Sequence, residues 1–218
     1  MRLSQRLDAG VWQPSPVRTV SCRFITGKEL RISIPTVEDR IVHKAICNAL
    51  VPILEATVLA NWVSGFLRGR SRLTAVRQAM AYMEGGLVYV ADVDVADVSG
   101  RITAAEVCDL VAACVSDGSL LCLVHRIVDQ LPTPMVVGSG LSPLLIHLRL
   151  APIDRALAPL SVVRFADNYA VFCSSLEEAA AAYRVIEQTL AEYGLWPAPA
   201  KSSVRSGVNP EDLFLVGA

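Results

Sequence analysis

Two acidic residues share one face of a short apolar strand. Residues 90–95 are Val-Ala-Asp-Val-Asp-Val, and the two-residue period of a strand places Asp92 and Asp94 on the same side. Carboxylates in an apolar strand are costly unless a positive group meets them. The pattern predicts a metal site, and an ion pair with an arginine from the earlier part of the chain is the alternative.

A third acidic residue, Asp167, lies with Asn168 between two apolar arms. Residues 162–173 predict a strand, a tight turn and a second strand. Asp and Asn tolerate the left-handed backbone that hairpin turns need, so a turn alone explains the pair. A carboxylate at the tip of a buried hairpin is also well placed to hold a metal ion. This segment by itself leaves both interpretations open.

The elements before these acids begin with two predicted strands, 17–20 and 31–34, on either side of a turn at Gly27. Thr36 is a good N-cap for a helix, which Pro52 is expected to kink or interrupt. Apolar residues at helical spacing predict its buried face: Val37, Ile41, Ala45, Ile46, Ala49, Leu50 and Ile53.

A basic glycine-containing loop and several helix starts complete the pattern. Arg68 and Arg70 lie in the loop 64–71, which suits either phosphate contact or a solvated connection. Capping signals predict helices after Thr103 and Ser175, and Ser142 followed by proline predicts another. The chain therefore mixes strands and helices in the α+β class.

Charge is unevenly distributed along the chain. Residues 1–80 hold 12 Lys/Arg against 5 Asp/Glu, a balance of +7, whereas residues 81–218 hold 8 against 16, a balance of −8. A basic first part can meet phosphates and an acidic second part can hold divalent cations. The alternative is two lobes that attract each other, because the net charge of −1 is a weak footprint for a nucleic-acid binder.

Composition favours a cytoplasmic globular protein. Of the 218 residues 53% are hydrophobic, yet no apolar run reaches membrane-spanning length and the first residues do not resemble a signal peptide. Six cysteines without a CxxC pair predict reduced core residues. A zinc site is not expected, because the three histidines lack ligand spacing.

Six blocks of the chain resemble, in the right order, the motifs of group II intron-type reverse transcriptases. Residues 34–42 (IPTVEDRIV) are very similar to the family's IPTVxDRIVQ, residues 64–71 (SGFLRGRS) to GFRPGRS, and residues 92–95 (DVDV) to DADI. Residues 141–145 (LSPLL) resemble PLSPLL, and residues 165–168 (FADN) stand where the family has YADD. Gly194-Leu195 and Lys201 are similar to its GL…K block.

The resemblance implies a right-hand polymerase fold with fingers at residues 12–85 and a palm at residues 86–218, whose antiparallel sheet packs on helices, and no thumb. It implies that Asp94 and Asp167 hold two Mg²⁺ or Mn²⁺ ions, with Asp92 and Asn168 as further candidate ligands. It also implies that Lys201 is the acid that protonates pyrophosphate.

The implied partners are an RNA template, a DNA primer and deoxynucleoside triphosphates, and no membrane. Arginine suits phosphate recognition because its guanidinium forks onto phosphate oxygens. The candidate nucleotide-binding or template-binding residues are Arg18, Lys28, Arg31, Arg40, Arg68, Arg70, Val98, Ser99 and Gly138.

The chain departs from the family pattern at four places. Asn168 replaces the second acid of YADD, and residues 137–140 replace QGGP, so the amide that touches the new base pair is gone. Val98 and Ser99 replace the aromatic pair that blocks the ribose 2′-hydroxyl. The sequence also ends where relatives continue into a helical thumb, so a separate chain or a second copy is a candidate to supply it.

Two functions follow from this pattern. The first is an RNA-directed DNA polymerase of group II intron-like type, weakened or dependent on a partner. The alternative is a catalytically inactive relative that binds nucleic acid or serves as a scaffold. The retained Asp94, Asp167 and Lys201 favour the polymerase, whereas the departures favour the scaffold.

Overall fold

The computed structural model describes residues 2–25, 27 and 29–214. The helices are α1 (Leu3–Asp8), α2 (Val37–Thr57), α3 (Arg72–Glu84), α4 (Ala104–Ala112), α5 (Gly118–Asp129), α6 (Ser142–Leu157) and α7 (Leu176–Glu192). The strands are β1 (Arg18–Arg23), β2 (Glu29–Ile34), β3 (Val63–Ser64), β4 (Tyr89–Asp94), β5 (Val162–Phe165), β6 (Asn168–Cys173) and β7 (Ser203–Ser206). None of the described helices is both long and apolar enough to cross a membrane.

The chain forms two compact units. The first contains Met1–Val58 and Ser99–Arg149, and the second contains Leu59–Val98 and Leu150–Ala218. The boundary predicted from the sequence, after residue 85, separates fingers from palm. It differs from this division, which separates compact units. It stays a prediction.

The first unit contains an antiparallel hairpin, β1 with β2, followed by α2. The strands are longer than predicted, but the hairpin around Gly27 is confirmed. Thr36 caps α2 as predicted: its hydroxyl accepts a hydrogen bond from the Asp39 backbone, and the Asp39 carboxylate accepts one from the Thr36 backbone. Asp39 also accepts from the Ser15 backbone, which explains how a 1% exposed carboxylate is tolerated.

The predicted buried face of α2 is partly wrong. Of the seven predicted residues only Ile46 and Leu50 are buried, whereas Val37, Ile41, Ala45, Ala49 and Ile53 are exposed. The buried residues of the helix are Asp39, Val42, His43, Ile46, Cys47, Leu50 and Leu54. The helix carries two apolar stripes, and periodicity alone does not show which one meets the core. The polar Asp39 and His43 lie on the buried stripe because hydrogen bonds satisfy them. Asp39 accepts from the Thr36 hydroxyl, and His43 Nδ1 lies 3.4 Å from Ser139 Oγ, far away in sequence. Pro52 does not interrupt the helix, which continues to Thr57.

The second unit is built on a five-stranded sheet with the order β3-β5-β6-β4-β7. The pairing of β3 with β5 is parallel, and the other pairings are antiparallel. The β5–β6 hairpin confirms the strand–turn–strand pattern around Asp167. Its register places Asn168 opposite Phe165 and, on the other side, opposite Asp94.

Helices cover the sheet of the second unit. Ala75 and Ala79 of α3 are fully buried against Val90, Ala170 and Phe172 of the sheet. Because these side chains are small, α3 can lie close to the sheet, and the apolar side chains of both are removed from water. Alternate strand residues point to the other face, and α7 packs against β4, β6 and β7. This α+β architecture agrees with the predicted fold class.

The cysteines are free, as predicted, but not all belong to a core. Cys47 and Cys173 are buried, whereas Cys22 and Cys122 are exposed. The two exposed thiols belong to β1 and α5. Their apolar neighbours in sequence predicted burial, and that prediction is wrong for these two residues.

Candidate active site

Asp94 and Asp167 come together at one end of the sheet in the second unit. Asp94 is the last residue of β4, and the backbone N–H of Val95 donates to the Asp167 carbonyl at 3.0 Å. Burial raises the pKa of Asp167, and the nearby Asp94 carboxylate raises it further. Two close, partly buried carboxylates are an arrangement that a divalent cation stabilises.

Lys201 lies against this pair. Its Nζ donates to both carboxylate oxygens of Asp94 at 3.3 Å. The chain is fixed to the end of β4 on both sides of Lys201. The Ala198 N–H donates to the Asp94 carbonyl at 2.8 Å, and the Asp94 N–H donates to Ser202 Oγ at 3.1 Å. The structure therefore brings the three residues predicted for catalysis into one cluster.

Asp92, the other strand carboxylate, has protein partners at both oxygens. Its Oδ1 accepts from Asn168 Nδ2 at 3.2 Å, and its Oδ2 lies 3.1 Å from Arg205 Nη2. Burial raises the pKa of Asp92, while Arg205 and Asn168 oppose that shift. Arg205 belongs to β7, so an ion pair meets Asp92, but the arginine does not come from the earlier part of the chain. The candidate metal role of Asp92 stays a prediction.

Asn168 presents an oxygen that lacks a partner. Its amide nitrogen is held by Asp92, and its Oδ1 is buried without a hydrogen-bond partner among the described residues. The register puts Asn168 directly opposite Asp94, so the two side chains share a face of the sheet. An unpaired buried carbonyl is costly unless a donor or cation meets it.

The turn before β6 is not where the sequence predicted it. The two loop residues are Ala166 and Asp167, and Asn168 already pairs with Phe165 as the first residue of β6. The left-handed residue is Ala166, with φ of 55°. Asn168 is extended because it pairs with both neighbouring strands. The positive φ is therefore taken by Ala166, a residue type that does not favour it.

The oxygens of this cluster suit a hard divalent cation. Across the part of the chain that the structure describes, no group of three or more His, Cys, Asp and Glu side chains is arranged to hold a metal. Magnesium nevertheless needs only one or two protein carboxylates when substrate phosphates supply further oxygens. Asp94 and Asp167 meet that requirement, and the unpaired Oδ1 of Asn168 is a further oxygen on the face of Asp94.

The basic loop runs beside the turn formed by Ala166 and Asp167. Gly65, with φ of 95°, approaches so closely that a Cβ there would lie 3.0 Å from the Ala166 nitrogen. Arg68 is exposed, but Arg70 turns inward, and its Nη1 donates to the Ala60 carbonyl at 2.7 Å. Arg70 thus stabilises the loop, while Arg68 remains accessible to a phosphate.

Sequence patterns missed two groups near this site. Phe66 is 68% exposed with φ of 57°, an unfavourable conformation for an aromatic residue, and it lies next to Gly65. Arg164 is fully buried under the turn, although a lone arginine in the apolar arm 162–165 was a visible signal for it.

The remaining nucleotide-binding candidates are distributed over several elements. Arg18, Arg31 and Arg40 of the first unit are exposed, and the β1–β2 register puts Arg18 and Arg31 on opposite faces of the hairpin. The structure therefore does not bring these two arginines together. Lys28 lies outside the described residues.

Gly138 and the pair Val98 and Ser99, which replaces the family's aromatic pair, differ in how tightly they are packed. A Cβ on Gly138, at φ of 108°, would lie 2.1 Å from the Ser33 carbonyl oxygen, so no other residue fits there without backbone movement. Val98 is 5% exposed and Ser99 is half-buried, so Ser99 is the more accessible of the pair.

Comparisons with known proteins show the family and the fold of the chain. Residues 26–211 match the family model described as reverse transcriptase (RNA-dependent DNA polymerase). A solved structure of apo telomerase from Candida tropicalis is similar, with a TM-score of 0.65 and 9% identity over 89% of this chain. The match covers 45% of that telomerase chain, and identity this low supports the fold alone.

No curated protein matches the chain in sequence. The family match nevertheless spans most of the chain, from β2 to the residues after β7, and includes Asp94, Asp167 and Lys201. The chain therefore belongs to the reverse transcriptase family.

Proposed function

We propose that the protein is an RNA-directed DNA polymerase of the group II intron-like type that uses two Mg²⁺ or Mn²⁺ ions. The observation that carries the proposal is the cluster of Asp94, Asp167 and Lys201 at the end of the sheet. The family supports reverse transcription in general. The six sequence blocks support the group II intron-like type.

In this proposal each residue of the cluster has a separate role. Asp94 and Asp167 would hold the cations, whose chemistry would be to lower the pKa of the primer hydroxyl and to neutralise charge on the phosphates. The primer 3′-hydroxyl loses its proton to solvent, its oxygen forms a bond to the α-phosphorus, and the bond from that phosphorus to pyrophosphate breaks. Lys201 transfers its Nζ proton to the leaving pyrophosphate oxygen.

Template and nucleotide contacts are proposed for the exposed candidates. Arg68 presents a guanidinium to phosphate beside the turn, and the exposed ring of Phe66 offers a surface on which a base can stack. Arg18, Arg31 and Arg40 are proposed as triphosphate or template ligands on the resemblance alone.

The competing function is a nucleic-acid-binding or scaffold protein without chemistry. The neutral Asn168 and the Arg205–Asp92 ion pair favour it, because together they lower the negative charge available to two cations. A polymerase with the same features would hold its second cation weakly.

Primer extension separates the two functions. We expect the purified chain to extend a DNA primer on an RNA template with deoxynucleotides and Mn²⁺, and to stop when EDTA is added. Mg²⁺ is expected to support less extension, because Mn²⁺ binds N/O sites more tightly. Binding of primer–template without extension under either metal would support the scaffold instead.

Restoring the missing acid should change the metal preference. We expect Asn168→Asp to raise Mg²⁺ affinity about tenfold, because the new charge faces Asp94. The same change should lower the melting temperature without metal, because it replaces the hydrogen bond to Asp92 with two facing carboxylates. Calorimetric titration and thermal melts in EDTA measure both effects. Unchanged Mg²⁺ affinity would remove Asn168 from the metal site.

A further inference from the structure

A buried ionic network lies beneath the turn formed by Ala166 and Asp167 in the second unit. Arg164 is 0% exposed and Asp154 is 2% exposed. Arg164 donates to Asp154 through Nε at 2.8 Å and through Nη2 at 2.5 Å. The Tyr169 hydroxyl donates to the same carboxylate at 2.8 Å. The bidentate geometry fixes the guanidinium plane.

The third nitrogen of this guanidinium reaches the turn itself. Arg164 Nη1 donates to the Ala166 carbonyl at 2.5 Å, while the Ala166 N–H donates to the Ser64 carbonyl at 3.0 Å. Ala166 has φ of 55°, which an L-residue with a Cβ rarely adopts. Such a conformation persists only where its surroundings hold it. In Ala166 both backbone polar groups, the N–H and the carbonyl, have hydrogen-bond partners.

We propose that Arg164 is a positioning residue that keeps Ala166 left-handed and so aims the following residue, Asp167, at Asp94. Asp154 orients Arg164, and Ser64 holds the other side of the turn. The catalytic consequence rests on the proposed polymerase function, whereas the hold on the turn does not. Neither Arg164 nor Asp154 touches a substrate in this proposal.

The residue types support positioning over plain stabilisation. A buried ion pair adds little net stability compared with apolar residues of similar volume, so the pair is weak evidence for a stabilising role. A guanidinium is the one side chain that can fork onto a carboxylate and still donate to a backbone carbonyl. A lysine ammonium lacks that planar geometry. Burial alone would lower the pKa of Arg164, but Asp154 raises it, so the guanidinium stays charged.

Replacing the network with apolar residues tests the proposal without leaving a buried charge unpaired. The variant is Asp154→Leu/Arg164→Met/Tyr169→Phe. We expect a cooperative melt, together with hydrogen exchange at least tenfold faster at the Ala166 and Val95 amides, which bond the turn in the native protein. Exchange at the Phe172 amide, which bonds Ser161 in the same hairpin, should change much less. Equal exchange at Ala166 and Val95 in variant and native protein would overturn the proposal.

Two further variants separate position from stability. Tyr169→Phe removes a hydrogen bond to Asp154 but keeps the bond from Arg164 to Ala166, so it should lower the melting temperature without accelerating exchange at Ala166 and Val95. Arg164→Lys is the variant to use if the apolar variant does not fold, because it keeps a buried positive charge. It should accelerate hydrogen exchange at the Ala166 and Val95 amides. Slow exchange there in Arg164→Lys would also overturn the proposal.

Metal titration links the turn to the site. We expect the apolar variant to bind Mn²⁺ at least tenfold more weakly than the native protein, and Tyr169→Phe to bind it normally. If the native protein binds no Mn²⁺, the proposed polymerase function loses its support, while the exchange data still decide the role of Arg164. Native Mn²⁺ affinity in an apolar variant with fast exchange would overturn the link between the turn and Asp167.

Discussion

Asp167→Asn is expected to lower primer extension about a thousandfold, comparable to the loss of one preorganised electrostatic group from an active site. Asp167 and Asp94 are the carboxylates proposed to hold the cations, and an amide supplies an oxygen without charge. Mn²⁺ affinity should fall with the rate. Steady-state primer extension and calorimetric titration on the same preparation measure both quantities.

The same substitution should make the fold more stable at neutral pH. Burial and Asp94 raise the pKa of Asp167 above its ordinary value of 3.8. The stability associated with the protonated carboxyl is therefore fully present below about pH 3.8 and is lost as pH rises through the folded pKa. In EDTA at pH 7 we expect Asp167→Asn to melt a few degrees higher, which corresponds to about 1 kcal/mol for a chain of this size.

The pH dependence provides an internal check. The advantage of Asp167→Asn should shrink as pH falls through the raised pKa of Asp167, because the native carboxyl then becomes protonated. Asp97→Asn is the matched control, because Asp97 is exposed with φ of 48°, a conformation that asparagine tolerates. It should leave both extension and melting nearly unchanged. A less stable Asp167→Asn would indicate a structural role for that carboxylate.

Lys201→Met should affect rate and metal affinity in opposite directions. Loss of a general acid lowers kcat by about a hundredfold or more. Lys201 Nζ also lies 3.3 Å from both oxygens of Asp94, where it competes with a cation for the same carboxylate. Removing it should therefore tighten Mn²⁺ binding severalfold. Single-turnover extension at saturating Mn²⁺ separates the two effects.

Lys201→Arg distinguishes acid catalysis from charge alone. Arginine keeps the positive charge but does not release its proton in proteins. We expect this variant to be nearly as slow as Lys201→Met while binding Mn²⁺ like the native protein. Native rates in Lys201→Arg would assign Lys201 an electrostatic role and exclude it as the acid.

The sequence alone predicted the class of fold and the central cluster. The two-residue period around Asp94 and the hairpin pattern around Asp167 depend on local alternation, which a strand expresses wherever it is placed. The resemblance of six ordered blocks added Lys201 to these acids. The structure places all three together, and the family match covers them.

Tertiary structure decided the features that depend on which partner meets a residue. Pairing between β5 and β6 places the turn at Ala166 and Asp167. Packing determines which of the two apolar stripes of α2 is buried. Asp92 found its cation in Arg205 of β7, more than a hundred residues later in the chain.

The same distinction explains Arg164. The sequence shows an arginine within an apolar strand, but not whether it would point to solvent, to nucleic acid or inward. Only the folded chain supplies Asp154 from α6 to neutralise it and the Ala166 carbonyl to accept a hydrogen bond from its Nη1. Local alternation and motif order are properties of the sequence by itself, whereas the partner of a buried charge is determined by residues that are distant in sequence and adjacent only in the fold.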